Sequence, residues 1–286
     1  MKKDSVIGID LGGTKISAGL VEGNTVSKIL SAKINATGSL EEVLQEVFDV
    51  TDQLLNDSVA AIGIGVPGLV DVEQGLVYDV MNIPSWKEIA LQRHMQERYH
   101  LPVYINNDAN CFALGEFYFG KGKGYNSVIG LTIGTGLGAG LILNKKLFAG
   151  NNFGAGEFGL IDYQDQVYEY YASGQFFNNV YGIDGEIVFQ NANKGEAEAL
   201  KMFEEMGAHL GNAIKTIIYA LNVELIVLGG SVRHAYPYFS KTMWQQIKTC
   251  VFEKSASQLK IEVSELKNSG VLGAVALTFD ETSINS

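Results

Sequence analysis

The sequence has few of the residues that bind metals or form disulfides. The two cysteines, Cys111 and Cys250, lie far apart and form no CxxC pair, so we expect buried, reduced thiols in a cytoplasmic protein. The four histidines show no metal-ligand spacing with one another or with cysteine. We therefore expect each histidine to be a surface or packing residue.

Long apolar runs and an excess of basic residues are also missing. No apolar stretch reaches membrane-spanning length. The apolar run after the first residues is interrupted by Asp10 and by glycines, so we expect neither a membrane segment nor a signal peptide. The net charge of −11 argues against a nucleic acid partner. No pattern typical of a helix-turn-helix precedes Val6.

What is present is typical of a globular α/β protein. The length of 286 residues suits two domains or one large domain. Predicted strands and helices alternate in the first half, which indicates an α/β fold. We predict strands at 25–34, 59–66, 103–105, 223–228 and 261–263, helices from 39, at 89–100, from about 109, at 195–221, 238–252 and 271–277, a loop at 69–86 and irregular structure at 150–174. Glu42, three residues after Ser39, predicts a capping box at the first of these helices.

Two glycine-rich segments resemble each other. Residues 6–15 read Val-Ile-Gly-Ile-Asp-Leu-Gly-Gly-Thr-Lys, and residues 128–136 read Val-Ile-Gly-Leu-Thr-Ile-Gly-Thr-Gly. Each continues into another apolar run, so both predict a strand, a glycine turn and a second strand. The chain therefore contains an internal duplication of one hairpin.

The residue types in these turns favour phosphate binding. Glycine lets backbone N–H groups approach an anion, and a nest of such groups binds phosphate oxygens. The expected phosphate-binding residues are Gly12, Gly13, Thr14, Lys15, Gly134, Thr135 and Gly136. Asp10 could hold Mg²⁺ through water. The alternatives are ordinary tight hairpins and, at residues 134–139, a Rossmann turn, although that motif should open a helix. A Walker A pattern is absent.

A polar cluster follows the predicted strand at 103–105. Asp108 could be the general base that takes a proton from a substrate hydroxyl, or it could only cap the following helix. Asn82 and Asn107 offer both a donor and an acceptor, which suits a polyol. Polar groups at the carboxyl end of a strand face the ligand crevice in α/β sheets.

Three further segments are open to two interpretations. Glu157 stands among glycines, which favours ligand contact over a structural role. Gly229 and Gly230 end a predicted strand and could lie against a nucleotide, or they could form a plain turn. Three tyrosines could stack on a sugar, although packing is the commoner role: Tyr168, Tyr170 and Tyr171.

Taken together, these motifs resemble those of the ROK (repressor, open reading frame, kinase) family of sugar kinases. The resemblance covers nearly the whole chain and is carried in order by residues 10–15 (Asp-Leu-Gly-Gly-Thr-Lys), 67–68 (Pro-Gly), 82–86 (Asn-Ile-Pro-Ser-Trp), 107–110 (Asn-Asp-Ala-Asn), 134–138 (Gly-Thr-Gly-Leu-Gly), 156–159 (Gly-Glu-Phe-Gly), 169–174 (Glu-Tyr-Tyr-Ala-Ser-Gly), 228–230 (Leu-Gly-Gly) and 270–274 (Gly-Val-Leu-Gly-Ala).

The resemblance implies a fold and an activity. The fold would be the two-domain actin-like ATPase (ribonuclease H-like) fold with duplicated halves. Its domains would span 1–107, rejoined by the C-terminal helix at 271–286, and 108–270. Members typically transfer the γ-phosphate of Mg·ATP to a hexose hydroxyl, most often at carbon 6, and commonly form homodimers.

Residue roles also follow from the resemblance. Asp108 would be the base, the two hairpins would hold the phosphates, and the Leu-Gly-Gly segment would lie on the adenosine side. The expected sugar-binding residues are Gly68, Asn82, Asn107, Asp108, Glu157 and Glu169.

Two departures from the family pattern concern zinc. Leu160 stands where the family has a histidine that binds zinc and touches the sugar, and the cysteine-rich zinc loop is missing between Glu157 and Glu169. We therefore expect no zinc site and leave the identity of the sugar open. A non-enzymatic sugar sensor of the same family and a kinase for fructose or another polyol remain alternatives.

Overall fold

A computed structural model describes residues 4–80 and 82–279. The chain divides into two compact units. The first comprises Met1–Gly124, Gly140–Ala155 and Leu266–Ser286, and the second comprises Tyr125–Ala139 and Gly156–Glu265. The domain bounds expected from the sequence stay a prediction. Residues 280–286 of the predicted C-terminal segment lie outside the described residues.

The elements are numbered in chain order. The strands are β1 (Ser5–Leu11), β2 (Lys15–Glu22), β3 (Thr25–Lys33), β4 (Val59–Val66), β5 (Leu69–Asp71), β6 (Leu76–Tyr78), β7 (Glu88–Ile89), β8 (Val103–Asn107), β9 (Val128–Ile133), β10 (Leu137–Leu143), β11 (Lys146–Leu147), β12 (Asp162–Tyr163), β13 (Gln166–Val167), β14 (Leu225–Gly229) and β15 (Lys260–Val263). The α-helices are α1 (Leu40–Asp52), α2 (Leu91–Tyr99), α3 (Asp108–Phe119), α4 (Tyr168–Ala172), α5 (Phe176–Tyr181), α6 (Gly185–Asn193), α7 (Ala197–Leu221), α8 (Tyr236–Ile247), α9 (Glu253–Gln258) and α10 (Ser269–Ala276). Short 3₁₀ helices span Phe158–Leu160 and Ser231–Ala235.

The first unit is built on a five-stranded sheet of order β3-β2-β1-β4-β8. β1 and β2 form the predicted antiparallel hairpin, and β4 and β8 continue the sheet in parallel with β1. The alternating apolar residues of β1, β2 and β4 are buried in its core. The capping box at α1 is confirmed, since the Ser39 hydroxyl accepts from the Glu42 N–H and the Glu42 carboxylate accepts from the Ser39 N–H.

Glycines in the strands let α10 approach this sheet. A Cβ on Gly8 would collide with the carbonyl oxygen of Val271, and one on Gly63 would collide with that of Ala274. Both glycines lie in the middle of paired strands, where a side chain would normally pack. Because these glycines have no side chains, the start of α10 lies beside the carboxyl end of β1.

A second five-stranded sheet has the order β11-β10-β9-β14-β15. β9, β14 and β15 are parallel, so the pattern of the first sheet recurs and the predicted duplication is confirmed. In the second unit, α7 packs on α8 through Gly207 and Gly211, where a Cβ on Gly207 would strike the backbone of Phe239.

Some element predictions were wrong. The predicted loop at 69–86 contains β5 and β6, which join β7 in a three-stranded sheet. These strands are two or three residues long, too short for an alternating pattern to be recognised. The helix predicted at 238–252 spans Tyr236–Ile247, and the predicted irregular segment at 150–174 contains β12, β13 and α4. Within residues 4–80 and 82–279, no helix is both long and apolar enough to cross a membrane.

Candidate functional site

In the first unit, Asp10 and Asn106 lie in one row across the carboxyl ends of three parallel strands. Asp10 of β1 is in register with Gly65 of β4, and Gly65 is in register with Asn106 of β8. Neighbouring strands lie about 4.8 Å apart, so one row across the sheet spans roughly 10 Å from Asp10 to Asn106. Asn107 and Asp108 follow at the same edge. Such an edge is where ligands bind in α/β sheets.

Asp10 lies in a narrow space beside the start of α10. A Cβ on Gly270 would collide with the Asp10 carboxylate, so glycine is required at that position for this approach. Burial raises the pKa of the Asp10 carboxyl, and the positive charge of Lys15 partly offsets that rise. A carboxylate oxygen is a ligand that Mg²⁺ prefers, directly or through water.

The first hairpin turn is closed by backbone hydrogen bonds. The Gly12 N–H donates to the carbonyl oxygen of Lys15 at 2.9 Å, and the Ile34 N–H donates to that of Thr14 at 3.1 Å. A Cβ on Gly13 would collide with the Asn82 side chain. The structure thus brings Asn82 against the first turn, a long-range contact that the sequence pattern did not reveal.

Asn107 forms the N-cap of α3. Its Oδ1 accepts from the Ala109 N–H at 2.9 Å and from the Asn110 N–H at 3.4 Å, and its Nδ2 donates to the carbonyl oxygen of Gly68 at 2.9 Å. Asp108 is the first residue of α3, and its Oδ1 also lies 2.8 Å from the Ala109 nitrogen. The alternative in which Asp108 is the cap residue is therefore wrong, and the Asp108 side chain is exposed.

In the second unit, the turn at Gly134–Gly136 is tied to the segment that follows α4. The Gly134 N–H donates to the carbonyl oxygen of Gly136 at 3.0 Å, and the Gly174 N–H donates to that of Gly134 at 2.7 Å. The Ser173 hydroxyl lies 2.9 Å from the carbonyl oxygen of Thr135.

Two carboxylates lie close together beside this turn. The Glu169 carboxylate accepts from the Leu137 N–H at 3.2 Å, and a Cβ on Gly136 would lie 2.8 Å from its Oε2. Desolvation raises the pKa of the Glu157 carboxyl, and the negative charge of Glu169 raises it further. Acceptors of this kind suit the hydroxyl groups of a polyol.

A cavity of about 490 Å³ opens next to the same turn. Its wall includes Gly134 and Thr135, the Ser231–Ala235 segment, and the rings of Phe177 and Phe203. Gly230, which precedes that segment, has φ of 76°, and a Cβ there would collide with the backbone of Ile133. Gly229 ends β14. The wall also carries polar side chains, among them Gln175 and Glu186. A cavity that combines aromatic rings with a few polar groups has the composition of a small-molecule site.

Phe177 and Phe203 were not identified from the sequence. Phe203 belongs to the apolar stripe of α7, which predicts only core packing, and Phe177 belongs to the short helix α5. No motif marks either residue as part of a cavity. Only the fold brings them beside the 134–136 turn.

The tyrosines near Glu169 pack within the protein. Tyr168 is buried, its ring stacks on Tyr163 with centroids 4.4 Å apart, and its hydroxyl lies 2.8 Å from the Thr216 hydroxyl. Tyr171 contacts the His209 ring and bonds to Asp165. Burial lowers the pKa of His209. For Tyr168, the packing interpretation is therefore confirmed over sugar stacking.

Leu160 lies in the 3₁₀ turn that begins after Glu157, and 58% of it is exposed. Among the described residues, no group of three or more His, Cys, Asp or Glu side chains is arranged to hold a metal ion. The Tyr163 ring of β12 contacts the rings of Tyr168 and Tyr171.

Comparison with known proteins shows the family to which the chain belongs. The model described as "ROK family" matches residues 6–281. The chain belongs to the ROK family. Its two sheets and hairpins form the actin-like ATPase fold that sugar kinases of this family share.

Relatives within the family include kinases and repressors. A glucokinase from Thermotoga maritima is 26% identical over an alignment that covers 97% of this chain and 98% of the enzyme. A xylose repressor from Caldicellulosiruptor bescii is 29% identical, with 97% of this chain and 78% of the repressor covered. The crystal structure of a ROK family glucokinase from Streptomyces griseus, in complex with glucose and AMPPNP, superposes with a TM-score of 0.81 at 26% identity, covering 96% of this chain and 98% of that one.

Proposed function

We propose that this protein is an ATP-dependent sugar kinase that transfers the γ-phosphate to a hydroxyl of a hexose or N-acetylhexosamine, with the 6-hydroxyl as the expected acceptor and Asp108 as general base. The observation that carries the proposal is the division of roles at the start of α3. Asn107 caps the helix, and the exposed Asp108 carboxylate lies at the carboxyl end of β8, where a substrate hydroxyl would bind.

The base has a defined task in phosphoryl transfer. The Asp108 carboxylate would accept the hydroxyl proton as the sugar oxygen attacks phosphorus, and positioning and electrostatic stabilisation would supply most of the acceleration. The similarity to a glucokinase seen with glucose and AMPPNP supports this reaction class.

Nucleotide contacts are proposed for both hairpins. The phosphates would lie against the turns at Gly12–Gly13 and Gly134–Gly136 and contact the N–H groups of Gly13 and Gly136, the Thr14 and Thr135 hydroxyls and the Lys15 ammonium. The Gly12 and Gly134 N–H groups would support this contact indirectly, because they close the two turns by donating to the Lys15 and Gly136 carbonyl oxygens. The adenosine would occupy the 490 Å³ cavity beside Gly229 and Gly230. When bound through Asp10, Mg²⁺ would neutralise phosphate charge.

Sugar contacts are proposed for the residues that the family resemblance assigns to the sugar. Gly68, Asn82, Glu157 and Glu169 would bind hydroxyl groups, and Asn107 retains one amide N–H for the same purpose. The exposed Leu160 would place an apolar group near the sugar, which keeps fructose and other polyols among the candidate substrates. The homodimer and the cytoplasmic location stay predictions.

The decisive assay measures ADP release from Mg·ATP over a panel of hexoses, N-acetylhexosamines and fructose. We expect turnover on one sugar and a loss of about 10²- to 10⁴-fold in kcat for Asp108→Asn, with sugar binding retained. Asp57→Asn, a change at an exposed aspartate, is the matched control and should be fully active. An Asp108→Asn variant that keeps the wild-type kcat would refute the assignment of Asp108 as the base.

A sugar-sensing regulator is the second candidate, because a xylose repressor matches over 97% of this chain. That function predicts no turnover with any sugar while one sugar raises the melting temperature. The same panel, read by thermal shift, therefore separates the two functions.

A further inference from the structure

The segment Ser173–Gln175 contacts two carbonyl groups of the Gly134–Gly136 turn, those of Gly134 and Thr135. From these contacts we infer that Ser173 and Gln175 are positioning residues, which hold the turn so that its N–H groups face the nucleotide phosphates. The inference rests on the proposed function, in which this turn binds the phosphates of ATP. It adds two residues that motif reasoning did not assign to the nucleotide.

The contacts are short and converge on two oxygens. The Gly174 N–H donates to the Gly134 carbonyl oxygen at 2.7 Å. The Gln175 Nε2 donates to the Thr135 carbonyl oxygen at 2.8 Å, and the Ser173 Oγ lies 2.9 Å from that same oxygen. A Cβ on Gly174 would lie 2.6 Å from the Gly134 oxygen, so this approach requires glycine.

Fixing these carbonyl groups also fixes the neighbouring N–H groups. In a trans peptide the C=O of one residue points opposite to the N–H of the next. With the carbonyls of Gly134 and Thr135 directed at residues 173–175, the N–H groups of Thr135 and Gly136 point away from that segment. Adjacent N–H groups held in one direction form an anion-binding nest.

The next N–H in the chain has a different partner. The Leu137 N–H donates to the Glu169 carboxylate at 3.2 Å. The segment from Glu169 to Gln175 therefore orders three successive peptide groups of the turn. The N–H groups that it directs away from itself are those of Thr135 and Gly136.

Ser173 is suited to this role because it is fully buried, at 0% exposure. Its hydroxyl accepts from the Gln175 N–H at 3.2 Å and lies 2.6 Å from the Glu169 carbonyl oxygen. Its single proton can serve either the Thr135 or the Glu169 oxygen. Gln175 contributes a second donor to Thr135, so each residue can partly replace the other.

The experiment compares ligands with and without phosphates. Calorimetry would measure the affinities of adenosine, Mg·ADP and Mg·ATP for wild-type protein, Ser173→Ala, Gln175→Met and the double variant. The ratio of ADP to adenosine affinity isolates the contribution of the phosphates. Gln45→Met, on an exposed position of α1, is the control for the glutamine substitution.

We expect Ser173→Ala, at a fully buried position, to keep its adenosine affinity within about twofold. Each single variant should lose roughly fivefold to tenfold in the ratio of ADP to adenosine affinity, the value of one hydrogen bond. Gln175 also lines the cavity, so this ratio is the readout for Gln175→Met. Because the two donors share one acceptor, the double variant should lose more than the product of the single losses. An equal loss of adenosine and ADP affinity, or an unchanged ratio in all three variants, would overturn the inference. So would a wild-type protein that binds ADP no more tightly than adenosine.

Two features keep the result interpretable. Gln175 is half-buried, so Gln175→Met gives a result even where Ser173→Ala does not fold. Sugar turnover is measured separately. A wild-type protein without turnover, whose ADP preference is nevertheless lost in the variants, would refute the kinase and uphold the positioning role.

Discussion

The Asn107 side chain joins the start of α3 to the loop after β4, through a hydrogen bond of 2.9 Å from its Nδ2 to the carbonyl oxygen of Gly68. Its Oδ1 caps the helix at the same time. Only one of the two amide N–H groups is used in that bond, so one remains for a ligand. Asn107 thus places Gly68 and Asp108 relative to each other within the first unit.

Replacement of Asn107 by Ala should destabilise the protein by about 2 kcal/mol, because it removes an N-cap worth about 1 kcal/mol and a hydrogen bond worth about 1 kcal/mol. Sugar affinity should fall as well. Urea denaturation and sugar titration would measure the two effects. Ser39→Ala, which removes the cap of α1, should cost about 1 kcal/mol and leave sugar affinity unchanged. Equal effects of the two variants on sugar affinity would contradict the role of Asn107.

The charge of Lys15 should influence the pH at which kcat falls on the acidic side of the pH profile, here called the acidic limb. Burial raises the pKa of Asp10, and Lys15 lowers it. In Lys15→Met the pKa of Asp10 should be higher, so Asp10 is protonated at a higher pH and the acidic limb of the kcat profile moves towards neutral pH. Lys33→Met, which changes the residue paired with Lys15 on β3, is the control and should leave the limb in place. A limb that stays fixed in Lys15→Met would exclude Asp10 as the titrating group.

Glu157 should destabilise the protein when it is ionised. Its pKa is raised above the ordinary value of 4.5 by desolvation and by Glu169, so the native state binds this proton more tightly than the unfolded state. The favourable contribution is complete below about pH 4.5 and is lost as pH rises through the native pKa. Glu157→Gln should remove that loss and raise stability at pH 7 by less than about 1 kcal/mol, since solvent screens the exposed side chain.

Denaturation of wild-type and Glu157→Gln protein between pH 4 and 8 would test this. The two stability curves should converge at low pH and separate at neutral pH. Glu198→Gln, at the exposed start of α7, is the matched control and should give a curve parallel to the wild type. Curves for Glu157→Gln that also run parallel to the wild type would show that the native pKa of Glu157 is not raised.

Local sequence patterns predicted the helices and strands well, but they did not predict contacts between residues far apart in the sequence. The hairpins at Asp10 and Gly134 and the cap at Ser39 depend on residues within a few positions of each other, so the sequence contains their whole explanation. The contact of Gly13 with Asn82 and the bond from Leu137 to Glu169 join residues tens of positions apart. Such contacts depend on how strands and helices pack, which periodicity does not encode.

The Tyr168 ring, which stacks on Tyr163, carries a buried hydroxyl that should matter for stability and not for sugar binding. Tyr168→Phe removes a buried hydroxyl that lies 2.8 Å from the Thr216 hydroxyl, and should cost about 1 kcal/mol while sugar KM stays unchanged. Thr216→Val completes a double-mutant cycle, in which the two losses should be less than additive. A rise in sugar KM for Tyr168→Phe would favour a direct contact of this ring with the sugar.

Gly134 and Gly136 should respond differently to alanine. A Cβ on Gly134 meets no heavy atom of the described residues within 4 Å, whereas one on Gly136 would lie 2.8 Å from the Glu169 Oε2. Gly134→Ala should therefore keep the wild-type melting temperature, while its methyl group enters the space beside the turn. If phosphates occupy that space, a displacement of about 1 Å should lower kcat/KM for ATP on the order of 100-fold.

Gly136→Ala should instead displace the Glu169 carboxylate from the Leu137 N–H, because the side-chain end can move while the backbone cannot. The variant should lose sugar affinity as well as ATP affinity. Thermal unfolding together with separate titrations of sugar and Mg·ADP would distinguish the two outcomes. Full ATP affinity in Gly134→Ala would place the phosphates elsewhere, whereas loss confined to ATP in Gly136→Ala would remove Glu169 from the sugar site.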